Sequence, residues 1–160
     1  MGSDSDLPVV EKCINELKKY EIPTEVHVYS AHRTPVEAIE FAQNAEKNGF
    51  GVLISAAGKA AHLGGVIAAN TVLPVIGIPI KASALEGVDA LLSTVQMPPG
   101  IPVAAVTVGK AGGKNAALYA IAILALSDPV LAERLREYRA DQREMVLTAD
   151  AELQEELKER

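Results

Sequence analysis

Histidine occurs three times in 160 residues, and two of the three stand in short stretches that also carry anion-binding groups. In SAHRTP, residues 30–35, His32 lies between Ser30 and Arg33, and Thr34-Pro35 opens a helical pattern. A guanidinium, a hydroxyl and a helix N-terminus together make a seat for a phosphate. An imidazole beside such a seat can move protons on a bound phosphorylated substrate near neutral pH. In AAGKAAHLGG, residues 56–65, small residues allow backbone amides to line a ligand, with His62 at the start of a helix. The same stretch reads equally as a loop packed under a neighbouring subunit. The opening MGSDSD offers the hydroxyls of Ser3 and Ser5 beside Gly2, and Asp6 either binds a sugar diol or caps the helix that begins at Leu7. GKAGGKN, residues 109–115, is either another amide-rich lip or a turn. The third histidine, His27, sits inside an alternating run and is read as structural or solvent-facing.

Other chemistries lack their residues. There is no G-x-G-x-x-G fingerprint, no P-loop, no HExxH and no CxxC. No Ser-His-acid arrangement is visible, and the lone Cys13, on a helical stretch, reads as core. The residues by themselves point to a cofactor-free, phosphate-handling enzyme with a histidine proton carrier.

Elements must hold these loops in place, and the pattern supplies them. LPVVEKCINELKKY (7–20) has apolar residues at helical spacing, PTEVHVY (23–29) alternates as a strand, and TPVEAIEFAQNAEKNG (34–49) reads as a helix closed by Gly49. FGVLISA (50–56), PVIGIPI (74–80) and PVAAVTV (102–108) are continuous apolar runs, expected to be strands buried on both faces. Helical patterns at 84–96 and 112–126 follow, and a charged helix begins at Asp128. Alternating strands and helices imply right-handed crossovers and a parallel sheet, here a three-layer α/β/α sandwich in a single domain spanning 1–160. In such a sheet ligands bind beyond the carboxyl ends of the strands, where these loops fall.

Composition sets the boundaries. With 49% hydrophobic and 22% charged residues the chain is an ordinary globular one, and a net charge of −6 argues against nucleic-acid binding. No apolar run approaches the roughly 20 residues of a membrane span, nothing reads as a signal peptide, and a single cysteine suits a reducing cytoplasm.

MGSDSD, SAHRTP, AAGKAAHLGG, LPVIGIPI, VQMPPGIPVAAV and NAALYAIAIL, in this order and spacing, resemble the PurE family of purine biosynthesis over essentially the whole chain. This is the family of N5-carboxyaminoimidazole ribonucleotide mutase, also described as the catalytic subunit of phosphoribosylaminoimidazole carboxylase. The resemblance implies a flavodoxin-like α/β/α fold with an added C-terminal helix, a homo-octamer with active sites between subunits, and no metal or organic cofactor. It implies that His32 is catalytic and that Arg33, Ser3, Asp6 and Ser30 hold the ribonucleotide. Gly58 and the segment Ala60, Ala61, His62 and Leu63 would line the imidazole and its carboxylate. The family has a strand immediately before MGS, which is expected to be absent ahead of Met1. Lys59 stands where many members have glycine and Gly64 where they have proline; Lys59 either points to solvent or adds a charge near the carboxylate. A second branch carboxylates aminoimidazole ribonucleotide directly with carbon dioxide and has SAHK in place of SAHR, so Arg33 and Ala60 to Leu63 point to the mutase. A catalytically inactive phosphosugar-binding relative is the remaining alternative. On the C-terminal helix, Leu131, Leu135, Tyr138, Met145 and Leu147 are expected to pack on a neighbouring subunit.

Overall fold

A computed structural model describes residues 1–159, the side chain of residue 83 excepted. Among these the chain forms two compact units, one running from Met1 to Ile123 and one beginning at Leu124.

The first unit is built on a parallel sheet of β1 (Leu53–Gly58), β2 (Val75–Ile80) and β3 (Ala104–Ala105), in that spatial order. β1 and β2 pair from Leu53 opposite Val75 to Gly58 opposite Ile80, whereas β3 pairs with β2 at Ile76 and Gly77 only. All six residues of β2 are buried, as the unbroken apolar run requires of a central strand covered on both faces.

Helices cover the two faces. α2 (Pro35–Ala45) and α3 (Leu63–Ala68) bury Ala38, Ala42, Ala45, Leu63 and Ile67 against Leu53, Val75 and Val103. α4 (Val88–Val95) lies on the same face, where Thr94 stands over Gly77 so closely that a Cβ there would collide with it. On the opposite face α5 (Lys110–Leu124) packs beside Ile78, and α1 (Leu7–Lys19) lies against α5. The alanine and glycine content of α5 serves close approach: Gly112, Gly113, Ala116, Ala117 and Ala120 are all buried, and Gly113 faces the carbonyl of Val9 in α1 with no room for a side chain. Cys13, with 3% of its surface exposed, is a core residue, and burial pushes its thiol pKa up to about 12. The expected three-layer α/β/α arrangement is what forms.

The expected strand at 23–29 does not form. The segment carries no ladder: among the described residues its main-chain hydrogen bonds toward the sheet run through Met1, whose nitrogen donates to His27 O at 2.8 Å and whose carbonyl accepts from Tyr29 N at 3.0 Å. Gly2 N in turn donates to Ala56 O of β1 at 2.9 Å. Two residues thus bridge the segment to the sheet, too few for a strand. Side chains fix the segment instead, with His27 stacked on Tyr29 at 5.0 Å between ring centroids and both tilted against Phe41 of α2. β3 is also shorter than the apolar run at 102–108, whereas α3 begins at Leu63 after a loop of small residues, with His62 at its start as expected.

The second unit is one long helix, α6 (Pro129–Lys158), capped by the Asp128 carboxylate, which accepts from the amides of Val130 and Leu131 at 3.0 Å each. Met145 and Leu147 are exposed on it. No helix among the described residues is long and apolar enough to cross a membrane.

Candidate active site

The carboxyl ends of β1 and β2 and the two loops flanking α1 and α2 enclose a cleft of about 420 Å³. Three stretches far apart in sequence meet there.

The first is the N-terminal loop. Ser3 begins a short 3-10 turn over Asp4–Asp6, accepting from Ser5 N at 3.3 Å, and the Ser5 hydroxyl donates to the Ser3 hydroxyl at 2.9 Å. Asp6 precedes α1 but its carboxylate makes no capping hydrogen bond, so the capping alternative falls. The side chain is buried and lines the cleft. Burial raises its carboxyl pKa above the ordinary 3.8, an effect opposed by the Ser3 main chain and the N-terminal ammonium.

The second is the 30–35 turn. Its geometry follows from two short side chains: Thr34 Oγ1 accepts from Ser30 N at 2.8 Å, and Ser30 Oγ accepts from the amides of His32 at 3.3 Å and Arg33 at 3.2 Å. Pro35 then starts α2 in the first helical turn, where its missing N–H costs nothing. Arg33 folds back over the N-terminal loop, its Nη2 donating to Gly2 O at 3.1 Å and its Nε to Ser30 Oγ at 3.4 Å.

The third is the loop from β1 to α3. Ala61 N donates to Ser93 Oγ of α4 at 2.9 Å, and His62 is the residue that precedes α3. This brings the two loop histidines together: His32 Nε2 and His62 Nδ1 are 2.8 Å apart with ring planes at 82°. Such a contact uses one N–H and one lone pair, so the two nitrogens in it hold a single proton between them.

Of the residues singled out from sequence, Ser3, Asp6, Ser30, His32, Arg33, Gly58, Ala60, His62 and Leu63 all line this cleft. Ala61 does not: it is buried, and its amide is used to fasten the loop to α4. The 109–115 stretch does not line it either, since Lys110 onward forms the first turns of α5. Beyond these, the cleft is completed by Gly2, Ser5, Ala31, Ala57, Lys59 and Ala82. Ala82 follows the carboxyl end of β2, so the rule that ligands bind beyond strand ends was the available signal for it. Among the described residues no three His, Cys, Asp or Glu side chains gather where they could hold a metal ion.

A parallel α/β sandwich whose strand-end cleft offers an arginine, hydroxyls and a histidine pair defines a binding protein or enzyme for a small anionic ligand. Residues 1–145 match the AIR carboxylase family, and the chain belongs to it. It is 56% identical over 141 residues to the N5-carboxyaminoimidazole ribonucleotide mutase of Pyrococcus abyssi, covering 88% of this chain and 80% of that protein. It is 49% identical over 147 residues to the protein of that name in Escherichia coli K12, covering 92% of this chain and 87% of the other. The crystal structure of Treponema denticola PurE superposes with a TM-score of 0.84 at 29% identity, covering 96% and 94% of the two chains.

Proposed function

We propose that the chain is an N5-carboxyaminoimidazole ribonucleotide mutase, an isomerase of purine biosynthesis that moves a carboxyl group from the exocyclic nitrogen to ring carbon C4. The observation that carries the reading is His32 at the meeting of the three loops, in contact with His62 and next to Arg33. Support for the substrate comes from relatives about half identical over most of the chain that bear the mutase name.

The chemistry assigns the groups. Arg33, Ser3 and Ser30 with the start of α2 seat the phosphate, because a guanidinium, hydroxyls and helix amides all present donors to it. Protonated His32 gives its proton to the exocyclic nitrogen as the N–C bond to the carboxyl group breaks and carbon dioxide leaves. C4 then attacks the carbon dioxide, forming the C–C bond, and the C4 proton returns to His32. The proton count closes over the cycle, so neither a redox partner nor an organic cofactor is required. Gly58, Ala57 and Ala60 make walls of small, mostly apolar surface that keep carbon dioxide close to C4. Asp6, buried at the cleft, faces the ribose hydroxyls, with Leu63 beside the ring.

The working unit in this reading is a cytoplasmic homo-octamer, with apolar residues exposed on α6 and α4, among them Met145, Leu147, Val88 and Leu92, supplying contact surface. The test is the initial rate of 4-carboxyaminoimidazole ribonucleotide formation from two mixtures: the N5-carboxylated ribonucleotide, or aminoimidazole ribonucleotide with bicarbonate and dissolved carbon dioxide. Preference for the first supports the mutase. Preference for the second makes the protein a direct carboxylase, and binding without turnover makes it an inactive relative.

A further inference from the structure

Lys59 is a lysine in a glycine conformation. Its φ is +57°, in the left-handed region that side chains rarely occupy. It is one of only three such non-glycine residues among those described, and the only one of the three that lines the cleft. Ser93 of α4 fastens the loop just after it: its Oγ accepts from Ala61 N at 2.9 Å and lies 3.3 Å from the Lys59 carbonyl. A glycine would take this conformation without strain, so the strain is retained together with the side chain.

The cation is also uncommitted. Arg33, the guanidinium of the cleft, spends donors on Gly2 O and Ser30 Oγ. The Lys59 ammonium has no carboxylate within ion-pairing distance among the described residues, although the protein carries a net charge of −6. The two bases enter from different loops. Arg33 comes with the hydroxyls and the N-terminus of α2. Lys59 comes three residues before His62, on the loop that meets the proton-carrying His32.

We propose that Lys59 is a specificity residue that binds the carboxylate of the carboxylated aminoimidazole ribonucleotides, so that the site distinguishes them from the decarboxylated nucleotide. The assignment rests on the functional reading above. It follows from placement: the group that loses and regains the carboxyl must lie within reach of His32, and Lys59 is the free cation on the facing loop. The phosphate is already supplied by the Arg33 side.

The test compares dissociation constants of 4-carboxyaminoimidazole ribonucleotide and aminoimidazole ribonucleotide for the wild type, Lys59→Met and Lys59→Gly, with wild-type turnover of the N5-carboxylated substrate measured alongside. Loss of one charge-assisted contact predicts about tenfold weaker binding of the carboxylated nucleotide by Lys59→Met, with the decarboxylated one unchanged. Lys59→Gly should lose the same discrimination while melting higher than wild type. Equal weakening of both nucleotides would assign Lys59 to the phosphate, and unchanged binding would leave it in solvent; either overturns the proposal. Retained discrimination in Lys59→Gly overturns it as well. A wild type that prefers the carboxylated nucleotide yet turns nothing over refutes the catalytic reading alone. A wild type without that preference refutes the Lys59 assignment whatever its turnover.

Discussion

His32 Nε2 and His62 Nδ1 meet at 2.8 Å across thirty residues of sequence, with the rings edge to face. The pair joins the turn that starts α2 to the loop that starts α3, and both rings line the cleft. A proton held between two imidazoles can be passed without waiting for solvent, which suits a reaction that lends a proton and takes it back.

His32→Asn removes the proton carrier but keeps a polar side chain of similar reach. Turnover of the N5-carboxylated ribonucleotide is expected to fall by about 10²–10⁴-fold, with nucleotide binding changed little. Steady-state kinetics with a direct binding titration checks this, and near-normal turnover would remove His32 from the mechanism.

His62→Leu deletes the partner and leaves His32 in place. One hydrogen bond to the reacting imidazole is worth about 1 kcal/mol, so kcat should drop by roughly fivefold. His62→Gln, which can still bond to the His32 ring, should recover part of the loss. Equal kcat in wild type and the leucine variant would show that the contact has no part in proton transfer.

Asp6 makes stability depend on pH with a definite sign. Its folded-state pKa is raised above the ordinary 3.8 by burial, so between these two values the folded state binds more protons than the unfolded. Stability therefore falls as pH rises from 3.8 through the raised value and is level above it, as far as this group is concerned. Asp6→Asn lacks the slope. Thermal unfolding from pH 3.5 to 7 should show the variant gaining on the wild type as pH rises through this window; a gain on acidification would contradict the assignment. The same variant is expected to bind the ribonucleotide more weakly, since it loses the carboxylate offered to the ribose.

Gly113→Ala drives a Cβ into the Val9 carbonyl of α1. Both partners are helix backbone and cannot give way as a flexible side chain would, so a loss of about 2 kcal/mol is expected, read as a lower urea midpoint. Gly113 lies outside the cleft, and activity per folded molecule should stay near wild type.

Much of this protein is set by the order of its residues alone. The continuous apolar runs at 50–56 and 74–80 point to buried strands, and β1 and β2 form on them, while the glycine and alanine pattern of 112–126 points to a closely packed helix, which α5 provides. Given a parallel sheet, the strand-end rule brings Gly58 and His62, at and beyond the end of β1, to one edge; Ser3, His32 and Arg33 line the same cleft without following a strand among the described residues. The tertiary structure decided what depends on partners. Alternation at 23–29 promised a strand, but a strand exists only through hydrogen bonds to a neighbour, and here the neighbour offers the main chain of Met1. Asp6 is typed equally for a cap or a ligand; its carboxylate makes no capping hydrogen bond to α1, and the residue lines the cleft. Ala61 and Lys59 are two residues apart on one loop, yet Ser93 draws the amide of Ala61 toward α4 while Lys59 stays at the cleft in a left-handed turn. Local pattern records which residue types are available; distances between loops thirty residues apart arise only when the sheet and its helices close around a common core.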